Sequence, residues 1–318
     1  MADFVGIADR IISSVEKVVI GKRPVITLFL AGLLSEGHIL IEDVPGVAKT
    51  MLARAVSKTL GCSFSRIQCT PDLLPTDVMG VSVFNQKTRE FEFRPGPVFS
   101  QIVLADEINR ATPRTQSALL EAMAEGMVTV DGISHVLQKP FIVIATQNPV
   151  EHEGTFPLPE AQLDRFLLKM SVGYPGPEYE YEMLEAQRLK HPIEDVTQAI
   201  GVEELRGMQL AVKNVFVHEK VRRYLIELVG ATRKNIHIAL GGSPRASLSL
   251  FRTSQALAAL GGRNYVIPDD VKALAHFVLD HRVILKPESK LRRMNARMVI
   301  DEVLKEVKVP MDQYSWER

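Results

Sequence analysis

Lys49 and Thr50 open a helix-like run directly after a strand-like one, in the stretch "IEDVPGVAKTMLARAV" over residues 41–56. That arrangement suits a phosphate-binding loop. Main-chain N–H groups curl around phosphate oxygens, an ammonium reaches the outer phosphates, and a hydroxyl meets Mg2+. The candidate nucleotide-contacting residues are Val44, Pro45, Gly46, Val47, Ala48, Lys49, Thr50 and Met51. The consensus loop carries one glycine at its start and another before the lysine. Asp43 and Ala48 occupy those positions here, so Gly46 alone supplies a flexible turn. Asp43 stands where the loop geometry is less restricted, and Ala48 is tolerable if its φ is negative. Taken alone, the stretch reads equally as an ordinary strand–loop–helix joint.

Two further strand ends favour the phosphate reading. "IVLADE" sets Asp106 and Glu107 after four apolar residues. At the carboxyl end of a parallel strand, Asp106 is expected beside the first loop, binding Mg2+ through water, with Thr50 as the other metal-side group. Glu107 is then the candidate base for the attacking water. "FIVIATQNP" ends in Gln147 and Asn148 instead of a carboxylate. A neutral amide holds a water or a phosphate without repelling either, although Asn-Pro is also a common turn start.

The elements that must position these groups follow from hydrophobic patterning. Five apolar runs, at 38–44, 63–69, 101–107, 141–147 and 165–171, read as strands. Three are nearly continuous, as in a parallel sheet buried on both faces. Helical patterns separate several of them, including 49–60 and 112–126, where Thr112 is a candidate cap, Pro113 suits the first turn and Gly126 the close. Strands alternating with helices predict a layered α/β domain with a parallel sheet. Segments 80–97 and 127–140 alternate around polar turns, Asp131-Gly132 in the second, and read as hairpin insertions. After about residue 175 the strand signal stops, and helices at 221–234, 244–260 and 268–283 predict a smaller all-helical domain over 176–318. In the last helix Val271, Leu274, Ala275, Val278 and Leu279 share one face.

Composition narrows the function class. The 318 residues carry 38 Lys plus Arg against 38 Asp plus Glu, which argues against a dedicated polyanion binder. The stretch "KLRRMNARM" (290–298) lacks the aromatic residues of a nucleic-acid groove and reads as a solvated helix face. Cys62 and Cys69 form no C-x-x-C, and no Cys/His spacing suits zinc. His276 and His281 read as packing or surface residues. The apolar run Val25–Leu34 is about half a membrane span, and is expected as a buried helix ending at Gly37 with a left-handed cap. A reduced, cytoplasmic protein without membrane insertion is the expectation.

Together with the phosphate loop, "DEINRATPRTQSALLEAMAEG", "NPVEHEGTFPLPEAQLDRF" and "GGSPRA" resemble the MoxR family of AAA+ ATPases over about residues 10–310. The resemblance implies a P-loop NTPase fold with a five-stranded parallel sheet and a helical lid, binding ATP and Mg2+. It implies hydrolysis of ATP to ADP and phosphate in a homo-oligomeric, hexameric ring that remodels or matures partners or assists metal insertion. Proteins with von Willebrand factor A domains are the partners it implies. By resemblance Arg165 is the arginine finger reaching a neighbour's γ-phosphate, and Arg245 the second sensor on the lid over the nucleotide. Arg110 and Arg114 suit interface salt bridges. A nucleic-acid-dependent motor of the same clade and a nucleotide-gated scaffold with little turnover are the alternatives. The neutral charge disfavours the first, and the presence of Glu107, Asn148 and Arg165 disfavours the second.

Overall fold

The computed structural model describes residues 2–149 and 154–310; Val150–Glu153 of the "NPVEHEGTF" motif lie outside the described residues. Two helices come first, α1 (Ala2–Glu16) and α2 (Arg23–Leu34). The α/β part runs β1 (Ile39–Glu42), α3 (Lys49–Thr59), β2 (Phe64–Gln68), α4 (Pro75–Met79), β3 (Gly80–Asn85) and β4 (Glu90–Pro95). It continues with β5 (Ile102–Asp106), α5 (Pro113–Glu125), β6 (Met127–Val130), β7 (Ile133–Val136), β8 (Ile142–Gln147), α6 (Glu160–Leu163) and β9 (Leu168–Met170). The remainder is α7 (Pro177–Ala186), α8 (Val202–Lys213), α9 (Glu219–Lys234), β10 (Ile238–Leu240), α10 (Pro244–Leu260), α11 (Pro268–Leu279), β11 (Ile284–Leu285), α12 (Pro287–Leu291) and α13 (Ala296–Glu306).

The five expected strands form one parallel sheet in the order β2-β5-β8-β1-β9. β5 is buried along its whole length, and β1 and β8 in all but their last residue, which explains their unbroken apolar sequences. Alternate side chains feed opposite layers. Ile39, Ile41, Leu104 and Ile144 join the layer of α1, α2 and α3, whereas Leu40, Val103, Ala105 and Val143 meet Leu119, Leu120 and Met123 of α5. The first of these cores continues without a break into the helices after residue 175.

Both insertions are antiparallel hairpins, β3 with β4 and β6 with β7. Asp131 and Gly132 take φ of 51° and 78°, the pair of positive values that a tight primed turn requires. Phe93 of the first hairpin stacks on His135 of the second, with ring centroids 4.0 Å apart.

Four local expectations are corrected. The helix α2 ends at Leu34, and the left-handed residue after it is Glu36 (φ 55°), not Gly37. Gly37 donates its N–H to Gly32 O (3.1 Å), and a Cβ there would lie 2.1 Å from Leu167 Cδ2, so close approach explains the glycine. Thr112 occupies the cap position of α5, but its hydroxyl faces Thr115 Oγ1 (3.2 Å) and makes no cap bond. The second part is not purely helical, because β10 and β11 pair there as a small antiparallel sheet. Finally, residues 290–298 are not one helix face: α12 ends, Arg293 turns through φ 61°, and α13 starts. Among the described residues, no helix is long and apolar enough to cross a membrane.

Candidate nucleotide site

The loop after β1 has the form that binds phosphate. Gly46 adopts φ 87°, and a Cβ placed on it would meet no atom within 4 Å, so the loop is open on that side. The helix α3 starts at Lys49 with no side chain capping its first N–H groups, where an incoming anion completes the hydrogen bonding. Lys49 Nζ donates to the carbonyls of Asp43 (2.7 Å) and Val44 (3.1 Å), acceptors that a phosphate readily replaces. Ala48 has φ 60° and ψ 23°, so the negative φ under which alanine is comfortable there is not adopted. An L-residue in this region costs roughly 1–2 kcal/mol.

Asp43 is an anchor, not a relaxed substitute for glycine. It is buried; its Oδ1 accepts the Val44 N–H, and its Oδ2 accepts the N–H groups of Val172 and Gly173 and the Ser171 hydroxyl. Burial pushes the carboxyl upward, but the bonds from Gly173, Ser171, Val172 and Val44 together outweigh it and hold its pKa below the ordinary value.

Asp106 does not stand on the strand next to the loop, because β8 separates β5 from β1. The end of β8 bridges them. Asp43 N–H donates to Gln147 O (3.1 Å), while Thr146 Oγ1 donates to Asp106 Oδ1 (2.6 Å) and accepts the Glu107 N–H (2.8 Å). Asn148 follows at once and is buried. Asp106 Oδ2 is held by Arg66 (2.6 Å), so both carboxylate oxygens have protein partners. These partners orient the carboxylate at the end of β5. Glu107 takes φ 56°, and its Oε2 accepts from Gln68 Nε2 (3.2 Å) and Arg110 (3.1 Å). Arg110 therefore pairs within its own chain. Mg2+ ordinarily takes one or two protein groups together with phosphates and water. Among the described residues no cluster of three or more His, Cys, Asp or Glu offers a cage made by protein alone.

Arg165 and Arg245 stand at the amino-terminal end of the parallel strands. Arg165 precedes β9, whose neighbour Leu167 donates to His38 O at the start of β1, and Arg165 itself donates to Leu120 O in the middle of α5. Arg245 lies 4.0 Å from Asp164, and both arginines line one cavity of about 310 Å3 with Glu36, His38, Asp164 and Arg252. The phosphate loop leaves the opposite end of β1, five residues or roughly 16 Å away. The lid therefore does not carry Arg245 over this chain's own loop, as expected, but sets it beside Arg165. Its position is fixed by Arg282, which is buried, donates to Asp164 Oδ1 (2.9 Å) and Leu167 O (3.2 Å), and so pins the end of α11 to the core.

Sequence reading missed Arg66, Gln68, Thr146, Asp164 and Arg282. Thr146 and Gln68 carried a signal, since each is polar at the carboxyl end of a strand that flanks β5.

A parallel sheet in this order, a phosphate loop after its β1 strand, an acidic end on β5 and a helical lid define an AAA+ ATPase. Residues 38–168 match the model described as "ATPase family associated with various cellular activities (AAA)", and residues 230–303 that of the AAA lid domain. Over 304 residues the chain is 52% identical to the YeaC protein of Bacillus subtilis, spanning 96% of this chain and 95% of that one. It is 42% identical to Chaperone MoxR1 of Mycobacterium tuberculosis, spanning 95% of this chain and 82% of that one. A solved structure from Cytophaga hutchinsonii, provisionally named an ATPase, superposes with a TM-score of 0.91 at 39% identity, covering 98% of this chain and 97% of that one. The chain belongs to the MoxR family of AAA+ ATPases. An AAA+ ATPase fold implies nucleotide binding, and members of the family are typically oligomeric.

Proposed function

We propose that this protein binds ATP with Mg2+ at residues 44–51 and hydrolyses it to ADP and phosphate within a homo-oligomeric, hexameric ring in the cytoplasm. Lys49 neutralises the outer phosphates, Thr50 faces the metal, and Asp106 holds it through water. Glu107 takes the proton of the attacking water, and Asn148 orients that water or the γ-phosphate. Arg165 and Arg245 serve the site of the neighbouring subunit. Turnover drives the remodelling or maturation of partner proteins, including metal insertion, and proteins with von Willebrand factor A domains are the partner class to test first.

One observation supports this reading above the rest. The end of β8 ties the phosphate loop, through Asp43 N–H and Gln147 O, to the acidic end of β5, through Thr146 and Asp106. Phosphate, metal and water would thus meet along three adjacent strand ends.

The test compares two variants. Lys49→Ala should lose ATP binding, whereas Glu107→Gln should keep binding and lose phosphate release, because an amide accepts no proton. Unchanged ATP affinity in Lys49→Ala, or unchanged turnover in Glu107→Gln, would refute the assignment. The Glu107→Gln protein, held with ATP, is also the bait for partner capture; failure to retain any von Willebrand factor A protein would remove that class.

A further inference from the structure

The carboxylate of Asp43 joins two parts of the molecule that a phosphate loop alone would leave separate. Its Oδ2 gathers three donors, Val172 N–H (2.7 Å), Gly173 N–H (2.7 Å) and Ser171 Oγ (2.8 Å), all in the segment where the chain leaves β9 for the helical part. That segment bends at Gly173 (φ 67°), and the next carbonyl, of Tyr174, accepts Lys22 Nζ (2.7 Å). The main chain of the same aspartate holds the other side. Its carbonyl accepts Lys49 Nζ, and its N–H reaches Gln147 O.

We infer that Asp43 is a positioning residue that couples occupancy of the phosphate loop to the orientation of the helical lid. The proposal rests on the reading of residues 44–51 as an ATP site. The physical chain is short. A phosphate that draws Lys49 Nζ away removes its bond to Asp43 O and changes the pull on residue 43. A carboxylate with three donors on one oxygen resists sliding relative to them, so the displacement passes to residues 171–173, where the chain turns toward the lid. Glycine, the consensus residue at this loop position, has no side chain with which to make this connection. The substitution at Asp43 is then a gain of linkage and not a tolerated defect.

The test uses the full chain with spin labels at Arg54→Cys on α3 and Glu227→Cys on α9, both exposed, while the native Cys62 and Cys69 are buried. In the otherwise unaltered protein, addition of ATP with Glu107→Gln in place should shift the inter-label distance. In Asp43→Gly, ATP should still bind but the shift should be lost. Asp43→Asn keeps one acceptor oxygen and should show a reduced shift, as should Ser171→Ala, which removes a single donor and preserves the rest of the loop should Asp43→Gly fold poorly. A merely structural role for Asp43 would lower stability and ATP affinity together and leave the shift intact wherever ATP is bound. A full shift in ATP-bound Asp43→Gly or in Asp43→Asn overturns the proposal. So does an ATP-bound parent whose labels do not move. A parent that binds no ATP overturns the nucleotide reading itself, and that outcome is separate because it is seen in binding before any distance is compared.

Discussion

Arg245 of the lid lies 4.0 Å from the carboxylate of Asp164, the residue immediately before Arg165. The two arginines therefore belong to one surface, at the end of the strands opposite their own phosphate loop. If both act on a neighbour, Arg165→Ala should bind ATP normally and hydrolyse it about 10³–10⁵ times more slowly. Mixing it with Lys49→Ala, which lacks the loop cation but keeps the finger, should restore part of the phosphate release. Arg245→Ala should be rescued by the same partner. A mixture that exchanges subunits and stays inactive would place neither arginine across the interface.

Ala48 sits in the left-handed region without a glycine's freedom. Ala48→Gly should raise stability by about 1 kcal/mol, the relieved strain being partly offset by glycine's larger entropy in the unfolded chain. The urea midpoint reads this directly, and an unchanged or lower midpoint would count against the strain.

Arg282 is buried and holds the Asp164 carboxylate, the carbonyls of Phe166, Leu167 and Val278, and Ser249 Oγ. Burial lowers its pKa to about 10, still well above neutral, so it remains charged. Arg282→Met would strand those acceptors and should cost about 3–5 kcal/mol. Thermal unfolding of the intact chain measures it, with loss of Arg245 function expected alongside, since the same contact sets the lid.

His38 is half-buried by solvent exposure, but its ring is enclosed by protein, with Nε2 donating to Met123 O and Nδ1 accepting the Val143 N–H. Burial lowers its pKa to about 4, the Met123 bond opposing the change. Between pH 6.5 and 4 the unfolded chain then binds a proton that the folded chain refuses. Stability should be fully present above pH 6.5 and fall on acidification, by up to roughly 3 kcal/mol near pH 4. His281 is shifted in the same direction by burial and by Arg282. His38→Gln should flatten the slope of unfolding free energy against pH; an identical slope would assign the effect elsewhere.

The layered sheet was legible because strands buried on both faces must be apolar throughout, and the hairpins because half-exposed strands must alternate. The pairing of β10 with β11 was not, since three and two residues are too few to alternate. The φ of Ala48 was hidden because alanine in the sequence argues for the opposite sign. Asp43 looked like a relaxed position because its donors, Ser171 to Gly173, lie some 130 residues further along the chain. Arg245 was misplaced for the same reason: the motif marks a residue type, while Asp164 and Arg282 decide where the lid is fastened.

The stack of Phe93 on His135 makes two excursions of the chain, some forty residues apart, into a single paddle. Phe84, Phe91, Ile133 and Val136 are exposed on it. Its second blade is rooted in α5, a rod of 13 residues or about 20 Å that begins just beyond Glu107 and ends at the hairpin. A small tilt at the Glu107 end is thus magnified at the far tip, and the ring contact obliges the first hairpin to travel with it.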